Sequence, residues 1–287
     1  MRVRGMTGYL NLGCGSRYVP DWVNVDLIST GPGVIPHDLR KGLPFPDDSF
    51  HVVYHSHLLE HFDRSDAPGF LRECLRVLRP GGAIRVVVPD LEQIVRSYLV
   101  ALEQVTLGGD RVIEYEWRVC QLLDQCVRTK SGGEMSPLLA KVAKSSKALA
   151  LLGHDGNAKK PAETATKPTS SSSQESEWAG GWKLLWHRLC NVKRYSHYAR
   201  ESLLRLLLGQ DREVLVVGRF RISGEVHKWM YDRYSLARLL GESGFVAMEQ
   251  RTATQSCLPN WEAFHLDADS EGTVYMTDSL YMEARKP

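Results

Sequence analysis

An α/β fold, with a mostly parallel sheet and helices on both faces, is predicted by three features of this 287-residue sequence. Short strand-like runs alternate with turns and helices between Tyr9 and Pro89. Glycines follow the first of these runs directly. The alternation stops after Asp90 and resumes near the C-terminal end. Parallel neighbours need a crossover, usually a helix, so alternation of this kind points to a parallel sheet. The length suits one large domain, or one domain carrying a sizeable insertion.

The elements follow in order. Tyr9–Leu12 is a short apolar run ending at Gly13, and Trp22–Val25 is a second, ending at Asp26. Val34 and Ile35 make a third, and Phe50–Tyr54 a fourth. From Ala67 to Leu78, the residues Phe70, Leu71, Cys74, Leu75 and Leu78 recur at helical spacing. Pro80-Gly81-Gly82 then reads as a sharp turn. Ala83–Val88, rich in β-branched residues, is a fifth strand stopped by Pro89.

Beyond Asp90 the spacing predicts two amphipathic helices, Leu91 to Leu107 and Asp110 to Val127. In the second, Val112, Val119, Leu122, Leu123 and Cys126 form one stripe. His154 to Gly181 is polar and rich in Ser, Thr, Lys and Pro, the composition of a flexible linker. Trp182 to Leu208 returns to helical spacing, with Trp182, Leu185, Trp186 and Leu189 on one side. Ser235 to Leu240 reads as a helix closed by Gly241 and Gly244. Phe245 to Met248 begins a strand, and Val274 to Ala284 is a long final one. The chain therefore divides into a first half of the core (1–91), a helical insertion that caps it (92–219, with the linker about 154–181), and the rest of the core (220–287).

Composition bounds the function. Apolar residues are 43%, enough for a substantial core, and the net charge is +2. That balance argues against a nucleic-acid partner or an anionic membrane surface. The lysines from Lys141 to Lys167 lack interleaved aromatics, so they read as a solvated segment. No run reaches the roughly 18 apolar residues of a membrane span. No apolar stretch follows the arginines near Met1, so no secretory signal is expected. Six cysteines without CxxC spacing read as reduced thiols, which fits a cytoplasmic protein.

The residues that carry chemistry start at YLNLGCG, where a strand runs into Gly13-Cys14-Gly15. Glycines let backbone amides approach a ligand, because no Cβ intervenes. In open parallel sheets ligands sit beyond the carboxyl ends of the strands, where the strand order reverses. Gly turns after strands are also common without a ligand. The stretch is not a phosphate loop of the GxxxxGK[ST] type, and Tyr18 breaks GxGxxG. Asp26 ends VNVD, where a carboxylate can accept bonds from both ribose hydroxyls of an adenosine. Alone it reads better as a surface-turn residue; beside the glycine turn, binding is the better reading.

At this point the sequence resembles the class I S-adenosylmethionine-dependent methyltransferases, in particular the type 11 group. The matching stretches are YLNLGCG, VNVDL, HDLRKGLPFPDDSF, HSHLLEHF, LRECLRVLRPGG and IRVVVPDL, in that order. The ending GEVHKWMYDRYSLARLLGESGF, followed by SLYMEARKP, is similar to a subgroup associated with saccharide and cell-surface glycan modification. The resemblance implies a Rossmann-like fold and S-adenosylmethionine as cofactor, with S-adenosylhomocysteine as product. It implies that Gly13, Cys14 and Gly15 border the methionine part, with Asn11 nearby. Asp26 would hold the ribose and Leu27 lie against the adenine. Asp38 and Leu39 would face the adenine ring, and His55 and Ser56 would lie along the methionine moiety. Asn11 departs from the pattern, which usually has an acid there. The link from Ser16 to Trp22 is too short for the usual first helix.

HSHLLEH also contains His57-x-x-Glu60-His61, which matches the H-x-x-E-H zinc motif. On a helix, His57 and His61 would share a face. A zinc hydrolase is thus a rival, but spacing identifies no third ligand, and PFPDDSF and LRPGG have no place in it. No metal is expected from the leading reading. Methyl transfer to a hydroxyl needs positioning and a base, and histidine suits neutral pH. The candidates are His57, His61 and His227, with Asp232 either orienting a histidine or capping the helix near Ser235. A small-molecule or saccharide hydroxyl is the expected acceptor, and a protein that binds the cofactor without turnover is the second reading.

Overall fold

The computed structural model describes residues 8–109, 111–142 and 211–287, with a few positions between 200 and 209. The linker 154–181 and the stripe Trp182, Leu185, Trp186 and Leu189 lie outside the described residues.

Seven strands form one sheet in the order β3-β2-β1-β4-β5-β7-β6. They are β1 (Tyr9–Leu12), β2 (Val23–Asp26), β3 (Val34–Pro36), β4 (Phe50–Ser56), β5 (Leu78–Pro89), β6 (Val246–Arg251) and β7 (Ser279–Arg285). The first five run parallel, and β7 is antiparallel to both β5 and β6. This is the mostly parallel, Rossmann-like sheet of the class I methyltransferase fold. The strand order reverses between β1 and β4, so a ligand cleft belongs at their carboxyl ends.

Strand alternation sorts side chains to the two faces. On one face Leu10, Leu12, Val53, Ile84 and Val86 pack with α1 (Ala67–Val77), whose Ala67, Phe70, Leu71, Cys74 and Val77 are buried at helical spacing. On the other face Trp22, Val52, Tyr54 and Val87 pack with Trp261 and Tyr281. Arg85 is wholly buried there. Its guanidinium bonds to Asp267 and Glu283, each at 2.8 Å, and to the carbonyls of Thr252 and Gln255. Tyr54 and Trp261 also donate to Asp267, so this network ties β4, β5 and β7 to the chain before β7.

Among the described residues the helices after β5 are α2 (Leu91–Thr106), α3 (Val112–Val119), α4 (Met135–Val142), α5 (Asp211–Arg221) and α6 (Arg233–Glu242). α3 continues through a π turn at Cys120–Asp124 into a last turn at Gln125–Val127. The expected stripe does not form: Val112 and Leu123 are exposed, while Trp117, Arg118 and Asp124 are buried. A π turn adds a residue to the helical turn, so no 3.6-residue stripe runs through it.

Three boundaries also differ. β5 begins at Leu78, and Pro80-Gly81-Gly82 lies inside it as a bulge: Leu78 pairs with Phe50 and Ala83 with Val52. β7 starts at Ser279, whereas Val274 makes only an isolated bridge with Ala268. β6 extends to Arg251. Among the described residues five cysteines are free, and no helix is long and apolar enough to cross a membrane.

Candidate cofactor and acceptor site

The glycine loop after β1 has the backbone that glycine permits. Gly13 has φ +63° and Gly15 has φ +53°, both left-handed. A Cβ on Gly13 would stand 2.9 Å from Leu58 Cδ1. The N–H groups of Gly13 and Cys14 donate to the Val25 carbonyl at 2.8 and 3.3 Å. Asp26 accepts the Gly15 N–H at 2.7 Å on one carboxylate oxygen and the Leu27 N–H at 2.7 Å on the other. Each oxygen keeps a lone pair for a ligand hydroxyl. Over this loop opens a cleft of about 280 Å³, bordered by Asn11, Gly13, Cys14, Gly15, Ser56 and His57.

The structure sorts the expected cofactor residues. Asn11 is buried, and its Nδ2 donates to the Arg17 carbonyl and to Asn24 Oδ1. A carboxylate at this position has no proton to give either acceptor, which accounts for the amide beside this short link. Burial, with Asp26 adding, pushes the Cys14 thiol up to about 11, so it lines the cleft as a neutral group. Leu27 is exposed beside Asp26. Asp38 caps the turn Leu39–Lys41, and its carboxylate is bonded by the Arg40 guanidinium at 2.8 and 3.0 Å. That bond lowers its pKa. Leu39 is buried in the core, so its own side chain presents no face to an adenine ring.

His55 departs from its expected place. Alternation along β4 puts Tyr54 and Ser56 on the cleft face and His55 on the opposite one. Its ring is wholly buried, 5.4 Å from Phe70 and edge-on to it, and among the described residues neither nitrogen is hydrogen-bonded. Burial pushes its pKa down to about 4.

Beside the glycine cleft lies a second cavity of about 470 Å³, lined by His57, Glu60, His61, Trp117, Arg128 and His227 among others. His57 and Met276 line both spaces. His57 has φ +50°, and helical structure covers only Leu59–His61 as a 3₁₀ turn. The helix that the zinc motif needs is therefore absent, and His57 and His61 share no helix face. His57 Nε2 lies 3.0 Å from Ser279 Oγ, and its Nδ1 lies 3.3 Å from Glu60 Oε1.

Glu60 is fully buried at the centre of this cavity wall. Burial opposes its ionisation, but His57, His61 and His227 together outweigh it and hold the carboxyl low. Backbone bonds fix the segment that crosses over it. Lys228 N–H and Trp229 N–H donate to the Glu60 carbonyl at 2.6 and 3.3 Å, and His227 N–H donates to the Gln125 carbonyl at 3.0 Å. The His61 and His227 rings meet edge-on, with centroids 4.9 Å apart. Burial chiefly pushes His227 down to about 4, with His61, His57 and Arg128 adding and Glu60 opposing.

The structure thus brings His57, His61 and His227 together. Asp232 takes the capping alternative: its carboxylate accepts the Ser235 N–H at 2.8 Å in a reciprocal capping box that starts α6. Sequence reasoning missed Glu60 as the buried centre, although an acid inside the apolar run LLEHF is a usable sign of a buried carboxylate. It also missed Met276 and Ser279 before and at the start of β7, and Trp117 and Arg128 near α3. No local pattern marks these, because only tertiary packing assembles them.

Comparison with known proteins agrees with this geometry over part of the chain. Residues 20–86 match the family model described as a methyltransferase domain. The chain is 34% identical over 98 residues to a Mycolicibacterium smegmatis protein described as a "probable S-adenosylmethionine-dependent methyltransferase", covering 28% of this chain and 37% of that one. The chain thus spans well under half the length of this curated relative. Among solved structures it is similar to an S-adenosylmethionine-dependent methyltransferase from Mesorhizobium loti, at 15% identity and a TM-score of 0.36, covering 99% of this chain and 94% of that one. It is also similar to one from Archaeoglobus fulgidus, at 21% identity and a TM-score of 0.27, covering 32% and 50%. From residue 20 to residue 86, then, the chain carries a stretch matching the methyltransferase-domain family, set within a sheet of class I methyltransferase topology.

Proposed function

We propose that this protein is an S-adenosylmethionine-dependent methyltransferase that methylates a hydroxyl of a saccharide or another small acceptor. The observation that carries the reading is the pair of adjoining spaces sharing His57 and Met276. Group transfer needs a donor and an acceptor held face to face, and these spaces meet at one histidine.

The loop residues fit the cofactor. Gly13 and Gly15 bring backbone close where a Cβ would intrude or strain, and Asp26 keeps lone pairs for two ribose hydroxyls. Bound S-adenosylmethionine supplies an already activated methyl group. The protein's part is to bind, orient and accept a proton. Of the three candidate histidines, His57 is the one lining both spaces, and Ser279 and Glu60 flank its two ring nitrogens. It is the best placed to take a proton from an acceptor hydroxyl at the junction. The apolar wall offered by Trp117 and Met276 suits the faces of a sugar or similar ring.

The test is incubation of purified protein with S-adenosylmethionine and a panel of saccharides, hydroxylated small molecules and amines, with S-adenosylhomocysteine as the readout. Turnover with hydroxyl acceptors, reduced at least a hundredfold in His57→Ala, is the expected result. Cofactor binding without turnover on any acceptor would favour the binding-only reading. Absence of cofactor binding would overturn both.

A further inference from the structure

We propose that Glu60, His61 and His227 form a binding site for a first-row divalent cation such as Zn²⁺, opening into the larger cavity. Each of the three offers a ligand atom, and these atoms all lie within 4.8 Å of one another. Glu60 Oε1 stands 4.0 Å from His227 Nε2. Ligands bound to one such ion at about 2.0–2.2 Å stand about 3–4 Å apart, so side-chain shifts on the order of 1 Å close the site.

Two observations point to a ligand rather than to a satisfied cluster. The first is Glu60 itself. Its side chain is fully buried, and among the described residues neither carboxylate oxygen has a completed hydrogen bond; His57 Nδ1 stands 3.3 Å from Oε1 as an ion-pair contact. A buried carboxylate in that condition is strongly disfavoured unless something positive is held against it. The second is the orientation of His61. Its Nδ1 lies 3.2 Å from the Val226 carbonyl. A proton on Nδ1 for that bond leaves the lone pair on Nε2, the arrangement by which metal-bound histidines are usually held.

The set has the character of an open site. Two imidazoles and one carboxylate suit Zn²⁺ and its neighbours rather than Mg²⁺ or Ca²⁺, which favour oxygen. Three protein ligands leave a position for water or an acceptor oxygen, as in catalytic rather than structural sites. All three residues line the cavity. That an acceptor oxygen takes the free position rests on the methyltransferase reading; the cation site itself does not. The site also differs from the H-x-x-E-H zinc motif. His57 is not a ligand here, Glu60 is, and the third ligand comes from the segment before α6.

The experiment titrates metal-free, full-length protein with ZnCl₂ by calorimetry, alongside S-adenosylmethionine on the same preparation. One-to-one zinc binding is expected, weakened at least tenfold in Glu60→Gln and in His227→Ala. Co²⁺ substitution of the wild type gives an independent readout that needs no variant to fold: visible d–d bands without a sulfur-to-cobalt charge-transfer band. Absence of zinc binding, zinc binding unchanged in folded variants, or a thiolate band would each overturn the proposal. Cofactor binding by the metal-free protein in any of those cases would leave the methyltransferase reading standing.

Discussion

The carboxylate of Asp26 accepts the backbone N–H of Gly15 at 2.7 Å, tying the end of β2 to the loop that follows β1. One residue thereby does two things: it fixes the loop's shape and presents lone pairs at its rim. Asp26→Ala removes both. Charged hydrogen bonds are worth about 1.5–3 kcal/mol each, so S-adenosylmethionine affinity should fall at least tenfold and as much as a hundredfold or more. Calorimetric titration of wild type and variant checks this. Equal affinities would take Asp26 out of the cofactor site.

Gly13 and Gly15 separate two reasons for glycine. Both have positive φ, but a Cβ on Gly13 would press within 2.9 Å of Leu58, whereas one on Gly15 meets nothing within 4 Å. Gly15→Ala should therefore cost only backbone strain, about 1–3 kcal/mol. Gly13→Ala should cost more in thermal stability, because Leu58 must move as well. Leu58 adjoins the turn that holds Glu60, so Gly13→Ala should also disturb the larger cavity. Melting curves of the two variants give the order.

What was legible in the sequence follows from how local each signal is. β1, its glycine turn and Asp26 are set by alternation and by φ, both short-range, and they were readable from YLNLGCG and VNVD. The same alternation along β4 turns His55 away from the cleft and keeps Ser56 on it. The bulge at Pro80-Gly81-Gly82 was not readable as strand, because those residues signal a turn, and only pairing of Leu78 with Phe50 shows that β5 begins earlier. The π turn at Cys120–Asp124 defeated the helical stripe in the same way. The acceptor wall was least legible. His227 reaches His61 through backbone bonds to Glu60 and Gln125, contacts between segments far apart in the chain.

Arg85 gives a prediction about the fold rather than the site. It is fully buried, with its guanidinium shared between Asp267 and Glu283. Arg85→Met would leave the buried Asp267 carboxylate without its cation and Glu283 with Arg251 alone, at 3.3 Å. Removing one partner of such a network costs about 3–5 kcal/mol. The melting temperature should fall by about 10 °C. Adding Asp267→Asn and Glu283→Gln to the same variant should recover part of that loss, since the uncompensated charges go with them. Failure of the triple variant to recover would mean that the hydrogen bonds to Thr252 and Gln255, rather than the charges, carry the stability.

Glu73, on α1, sets a pH dependence across the sheet from these charges. Its carboxylate accepts from the Arg76 guanidinium at 2.8 Å through both oxygens and from the Leu43 N–H at 2.9 Å. The Arg76 hydrogen bonds chiefly, with Leu43 adding and partial burial opposing, hold its pKa down to about 2 from an ordinary 4.5. A carboxyl lowered in the folded state adds stability that is fully present above the unfolded pKa. That stability is lost as pH falls through the window from about 4.5 to about 2, where the unfolded chain takes up the proton first. Glu73→Gln has no such proton to bind. The variant should therefore be less stable than wild type near neutral pH, and the gap should narrow steadily below about pH 4.5. Urea melts of both proteins at about pH 6 and about pH 3 read the difference directly. A gap that stays constant between the two would show that Arg76 holds the loop around Leu43 by geometry alone, with no contribution from the charge on Glu73.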